Sequence, residues 1–149
     1  MLRLSKLTDY ATVILSYMAK TNADVHSAVE LSDATGIALP TVSKILKILV
    51  NSQVLVSSRG INGGYALARS PGQISVAEVI SALEGPIALT ECSISHEGCE
   101  QASGCEISGN WGVINQVIRN ALEAVSLADM IKPAQPQEFF IPVASLYRN

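Results

Sequence analysis

The chain has 149 residues, 48% hydrophobic and only 5% aromatic, with ten Lys/Arg against thirteen Asp/Glu and a formal net charge of −3. That length suits one domain plus an extension or two small modules, with a core built from Leu, Ile, Val and Ala. The chain holds no run of about 18 apolar residues, so no transmembrane helix is expected, and it shows no nucleophile triad or phosphate-cradling glycine loop that would mark an enzyme.

The charge is uneven. Residues 1–69 carry seven Lys/Arg against four Asp/Glu, net +3, whereas residues 70–149 carry three against nine, net −6. A basic front and an acidic back fit a DNA-binding module joined to a sensing module.

Arg3 and Lys6 precede a short apolar run, Ala11 to Ala19, that faintly resembles a signal peptide. Asp9 interrupts it, and Leu7, Ala11, Ile14 and Met18 keep helical spacing, so an amphipathic first helix from Leu4 to Lys20 of a cytoplasmic protein is expected. His26 falls in the following turn and reads as a surface residue. Ser27 caps a second helix, Ala28 to Thr35, with Glu30 at the capping-box position, and Gly36 ends it. Pro40 then stands at the first position of a third helix reaching Asn51.

Val42, Ile45, Leu46 and Leu49 share one face of that third helix. Lys44, Lys47 and Asn51 take the other, with Thr41 and Ser43 on its flanks. This is the layout of a helix-turn-helix, whose second helix enters the major groove, where lysines meet phosphate or guanine and hydroxyls serve either. Val54 to Ser57 and Tyr65 to Ala68 read as paired strands around a glycine-rich tip that carries Arg59 and Asn62. Helix, helix, helix, hairpin is the winged-helix order, and Arg59 suits a minor groove or a phosphate.

Ser70-Pro71-Gly72 marks the end of the wing. Ser75 and Glu78 form a capping box for a short helix burying Val76, Val79, Ile80 and Leu83, stopped by Gly85-Pro86. An extended piece, Ile87 to Thr90, leads into residues 91–110, ECSISHEGCEQASGCEISGN, which hold every cysteine of the chain: Cys92, Cys99 and Cys105. Gly98 and Gly104 directly precede the last two and let the backbone wrap closely. Three thiols crowded into a Gly/Ser/Glu-rich loop read as an iron–sulfur cradle, with zinc as the chemical rival. In a reducing compartment metal is favoured over a disulfide.

Asn110 or Ser108 is placed to cap a long helix from Trp111 to Ile131. Trp111, Ile114, Ile118, Ala121, Val125 and Ala128 recur along it at alternating spacings of three and four, the pattern of a coiled-coil seam. The expectation is a homodimer presenting two recognition helices to a palindromic operator in double-stranded DNA. The fold class is therefore mainly α with a small β-hairpin: a winged helix-turn-helix over 1–70, a cysteine loop and dimerisation helix over 71–131, and a tail over 132–149.

The opening Leu4-Ser5-Lys6-Leu7-Thr8-Asp9-Tyr10-Ala11, the wing Val56-Ser57-Ser58-Arg59-Gly60-Ile61-Asn62-Gly63-Gly64-Tyr65, the stretch Val76-Ala77-Glu78-Val79-Ile80 and the three cysteines together resemble the Rrf-two family of bacterial winged-helix regulators. The resemblance covers roughly residues 1–131 and is nearest to the branch that controls the SUF iron–sulfur assembly operon. It implies Cys92, Cys99 and Cys105 as ligands of an iron–sulfur cluster, 2Fe–2S ahead of 4Fe–4S. It also implies DNA contacts from Thr41, Ser43, Lys44, Lys47, Arg59 and Asn62. Two departures stand out: the first cysteine gap is one residue longer than in the iron–sulfur regulators, and the histidine that follows their third cysteine is replaced by Glu106-Ile107. Asp9, in the Thr-Asp context used by the nitric-oxide-sensing members, is the first choice for the fourth ligand, donated to the partner's cluster; His96 is second and Glu106 third. The function implied is a transcriptional regulator, a repressor, that senses iron–sulfur, redox or nitric oxide status. The alternatives are a nitric-oxide-responsive repressor and a zinc-stabilised or cluster-free winged-helix regulator.

Overall fold

The structure is a computed structural model that describes residues 3–21, 24–94 and 107–133. Cys99, Cys105, His96, Glu106 and the tail from 134 onward lie outside the described residues, and Cys92 is described by its backbone alone. The elements run α1 (Lys6–Lys20), α2 (Ala28–Thr35), α3 (Leu39–Asn51), β1 (Leu55–Ser58), β2 (Gly64–Leu67), α4 (Val76–Glu84), α5 (Ser108–Glu123) and α6 (Leu127–Met130), with short 3₁₀ turns at Pro71–Gln73 and Glu91–Ser93. The architecture is the expected one: mainly helical, with one two-stranded antiparallel hairpin.

Side-chain caps set most of the helix starts. Ser5 caps α1 by accepting from the Thr8 N–H, so the helix begins two residues later than Leu4. Ser27 caps α2 in the same way, and Gly36 closes it at φ 70°, a left-handed conformation that glycine adopts without steric cost. Ser75 and Glu78 form the full reciprocal box on α4. α3 starts at Leu39, which makes Pro40 its second residue rather than its first, still within the turn whose N–H groups lack helical partners.

The core gathers around α1 and α3. Ala11, Ile14 and Leu15 of α1, Val42, Ile45, Leu46 and Leu49 of α3, and Ile74 are wholly buried, and Val54, Leu55, Val79 and Leu127 nearly so. Burying one such side chain contributes roughly 1.5–3 kcal/mol. The hairpin sits one residue later on its first strand and one earlier on its second than the pattern suggested, in the register Leu55↔Leu67 to Ser58↔Gly64.

Three expectations are corrected. His26 is buried, at 1% exposure, not a surface residue. Its backbone makes both hydrogen bonds of an antiparallel pair with Tyr65 of β2 (2.9 and 2.8 Å). Its ring lies between Thr21 (3.2 Å from Nε2), Glu30 (2.7 Å from Nδ1) and the edge of Tyr17. The chain before α2 thus forms a third rung of the wing, and it approaches so closely that a Cβ on Gly64 would lie 2.5 Å from the His26 carbonyl oxygen. Second, the box expected on α2 is half made, because the Glu30 carboxylate reaches His26 instead of its own helix start.

Third, the long helix does not continue to Ile131. α5 starts at Ser108 without a side-chain cap and ends at Glu123. Ser126 then caps a separate α6 through a reciprocal box with Asp129. Between the two helices the chain pairs with the residues before α4: Val76 N–H donates to Val125 and Leu127 N–H to Ile74, both at 2.8 Å. That stitch inserts Leu127 into the core at 4% exposure, so the seam projected through Val125 and Ala128 stops at the break.

His26→Ala should lower stability by about 2 kcal/mol, from the cavity left by a buried ring and from the loss of its hydrogen bonds to Thr21 and Glu30. Urea unfolding measures this, and a loss under about 0.5 kcal/mol would mean the ring does not hold the wing in place.

Candidate nucleic-acid interface and the segment leading to the thiols

The buried face of α3 dictates what its other face shows. With Val42, Ile45, Leu46 and Leu49 all at 0% exposure, Ser43, Lys44, Lys47 and Asn51 face solvent, and Thr41 is half-buried at the flank. Ala38, before α3, makes no side-chain cap. Its carbonyl accepts from the Thr41 and Val42 N–H groups, at 2.9 and 3.0 Å, and Pro40 has no N–H, so the start of α3 presents its side chains rather than free backbone donors. Residues 36–38 join α2 to α3, so the pair is a helix–short turn–helix with its lysine-bearing helix outward.

The hairpin continues that surface. Arg59 and Asn62 are exposed at its tip, and Ile61 between them is completely exposed. Ile61 is absent from the residues singled out in the sequence; the signal was present, since an isoleucine in a glycine-rich tip has nothing of its own chain to pack on. Such an apolar side chain flanked by arginine suits sugar edges or a minor-groove step. Two further features set the wing's angle to α3: the His26–Tyr65 pair described above, and the bond from Ala68 N–H to Val54 at 3.0 Å.

At the start of α1 a second set of contacts joins that helix to α4 and to the segment that leads toward the thiols. Glu84, the last residue of α4, accepts from the Ser5 N–H at 2.8 Å and from the Thr8 hydroxyl. Hydrogen bonds from Ser5 and Thr8 hold its carboxyl below the usual glutamate range. A carboxylate at the C-terminus of its own helix is poorly placed, but at the N-terminus of α1 it is favoured. Directly after Glu84 the chain turns at Gly85 and runs to Leu89, where Asn115 of α5 seizes it. Asn115 accepts from Leu89 N–H and donates to the Ile87 carbonyl, both at 3.1 Å, and is 8% exposed. Ser93 and Ile94 N–H then bond back to Thr90 and Glu91. Cys92 therefore sits in a tight turn at the root of the thiol loop. Neither Glu84 nor Asn115 was singled out in the sequence.

Asp9 is exposed on α1, one residue from Thr8. Cys99 and Cys105 lie outside the described residues, as does the side chain of Cys92. Among the described residues there is no group of three or more His, Cys, Asp or Glu able to hold a metal, and no helix is long and apolar enough to cross a membrane.

A family model described as Rrf2, iron-dependent transcriptional regulator, matches residues 4–133. The chain is 33% identical over 103 residues to the HTH-type transcriptional regulator IscR of Xenorhabdus nematophila, a match covering 69% of this chain and 62% of that relative. It is 25% identical over 134 residues to the protein rrf2 of Nitratidesulfovibrio vulgaris, covering 89% of each. The fold is similar to that of CymR, the global cysteine regulator of B. subtilis, with TM-score 0.67 at 26% identity, over 88% of this chain and 97% of that one. It is also similar to T. potens IscR, with TM-score 0.65 at 23% identity, over 90% and 93%.

Glu84→Gln isolates the tie between α4 and α1. Because the folded pKa is depressed, its contribution is present above the usual glutamate pKa and is lost as pH falls through the lower folded value. Wild type should melt higher than Glu84→Gln at neutral pH and the two should converge in acid; a gap that widens in acid would contradict the tie.

Proposed function

Because the chain belongs to the Rrf2 family of transcriptional regulators, we propose that it grips DNA with α3 and the wing and answers to a metal cluster held by its three thiols. The relatives are regulators, not enzymes. The observation that carries the DNA half is the division of α3 into a wholly buried apolar face and an exposed face bearing Ser43, Lys44 and Lys47. Thr41, Ser43, Lys44 and Lys47 would read the major groove, and Arg59 and Asn62, with Ile61, would contact backbone or minor groove.

The donor set of the sensing half fits an iron–sulfur cluster. Three thiols fall between 92 and 105, clusters are held by cysteine thiolates, and the Asn115 clamp fixes the chain at the root of that loop. Cys92, Cys99 and Cys105 would hold the cluster, 2Fe–2S ahead of 4Fe–4S, with Asp9 of the partner subunit as the fourth donor. Bound, the cluster would supply a centre open to oxidation, nitric oxide or loss. The chain's own residues carry the consequence. Asn115 links the loop's root to α5, Glu84 links it to the start of α1, and α1 packs directly on α3 through the shared core. Trp111, Val113, Ile114 and Val117 leave an exposed apolar face on α5, suited to a homodimer that presents two α3 helices to a palindromic site. In this reading the loaded protein represses, in the cytoplasm, and the genes it controls are those of iron–sulfur assembly.

Anaerobically purified protein should be brown and contain iron and sulfide. Cys99→Ala should be colourless and lose the difference in operator affinity between loaded and stripped protein. Zinc without iron would assign the thiols a structural role, and colourless, iron-free protein with full operator affinity would leave the DNA-binding half alone. Lys44→Ala should weaken operator binding by about tenfold and lower its salt dependence by about one ion, as read by fluorescence anisotropy across a salt series; unchanged binding would remove α3 from the interface.

A further inference from the structure

An open groove lies beside the helix-turn-helix, between Lys6, Leu7 and Tyr10 of α1 on one wall and residues 36–38 with Thr41 of α3 on the other. None of the side chains lining it is acidic; Asp9, the nearest acid along α1, is not among them. The Lys6 ammonium lies over the Tyr10 ring, 5.3 Å from its centroid. Lys6 and Tyr10 are four residues apart, so they stack on one helix face, and the ring gives an otherwise floppy lysine a preferred position. Thr41 on the opposite wall belongs to the same first turn of α3 whose exposed residues form the proposed DNA surface. A duplex lying along α3 therefore brings its backbone past the mouth of this groove.

We infer that Lys6, poised over Tyr10 in this acid-free groove, is a DNA-backbone contact that binds a phosphodiester beside the recognition helix. The contact is electrostatic and blind to sequence, and it extends the footprint from α3 and the wing to a third element, α1. It rests on the reading that α3 faces DNA. It also gives the tie from Glu84 to Ser5 a direct consequence at the DNA, since Lys6 is the next residue after Ser5 in α1.

The test uses the full chain and two duplexes: an operator selected from a random pool by the wild-type protein, and a mixed-sequence duplex. Anisotropy titrations across a salt series compare wild type, Lys6→Ala, Lys6→Arg and Lys44→Ala, with thermal melts confirming equal folding of these exposed-site variants. Lys6→Ala should weaken binding to both duplexes by a similar factor, about three- to tenfold, and lower the slope of log K against log salt by about 1. Lys6→Arg should retain both. Wild-type affinity and slope for Lys6→Ala would overturn the inference, as would a loss confined to the selected operator, which marks a base reader instead. Lys44→Ala separates the two ideas: if it weakens binding while Lys6→Ala does not, only the Lys6 contact fails; if neither does, the assignment of α3 fails with it.

Discussion

Four side chains of α3, Val42, Ile45, Leu46 and Leu49, have no exposure at all, and that burial orients everything the helix presents outward. Turning α3 by a single residue, about 100°, would push one lysine into the core, Lys47 in one direction or Lys44 in the other, and bring buried aliphatic side chains out. At roughly 1.5–3 kcal/mol for each buried side chain, and more for a charge without a partner, no such rotation competes. The lysine face is the necessary complement of a packed one. The wing follows from the same constraint: β1 begins four residues after α3 ends, with Leu55 anchored in the same core.

Elements whose signals are local were readable in the sequence. Ser27, Gly36, Ser75, Glu78 and Gly85 each act within a few residues of themselves, so α2 and α4 fall where their caps put them. The apolar period of α3 is likewise carried by its own residues. What escaped depends on partners distant in sequence. Glu30 spells a capping box, but a histidine buried by Tyr17 and Tyr65 claims its carboxylate. Glu84 meets Ser5 across 79 positions and Asn115 meets Ile87 across 28. In the sequence each is one polar residue in an apolar pattern, and only the fold reveals what it holds.

The break between α5 and α6 is a different case, because its signal was local. Ser126 and Asp129 are a serine and an acid three apart, the spelling of a helix start, yet the three-and-four repeat of apolar residues runs through them unbroken. Two short-range codes disagree there, and the tertiary stitch decides between them. Pairing Val76 with Val125 and Leu127 with Ile74 satisfies backbone groups and buries Leu127, which a continuous helix pointing into solvent would not.

That stitch changes what α5 is able to do. A straight helix to Ile131 would be a lever attached only along its side. Instead α5 is followed at once by a segment sewn to the start of α4, with Leu127 locked in the core beside α1, and its middle is pinned at Asn115 to the chain entering the thiol loop. Its apolar face, Trp111, Val113, Ile114 and Val117, is thereby held at a fixed attitude to α1 and α3. Covering that face supplies an association energy proportional to area, whereas the polar ties at Glu84, Asn115 and Ser126 contribute little energy but much direction. Burial of Leu127 sets how firmly α5 is joined to the core, and those three residues set the angle between α5 and α3.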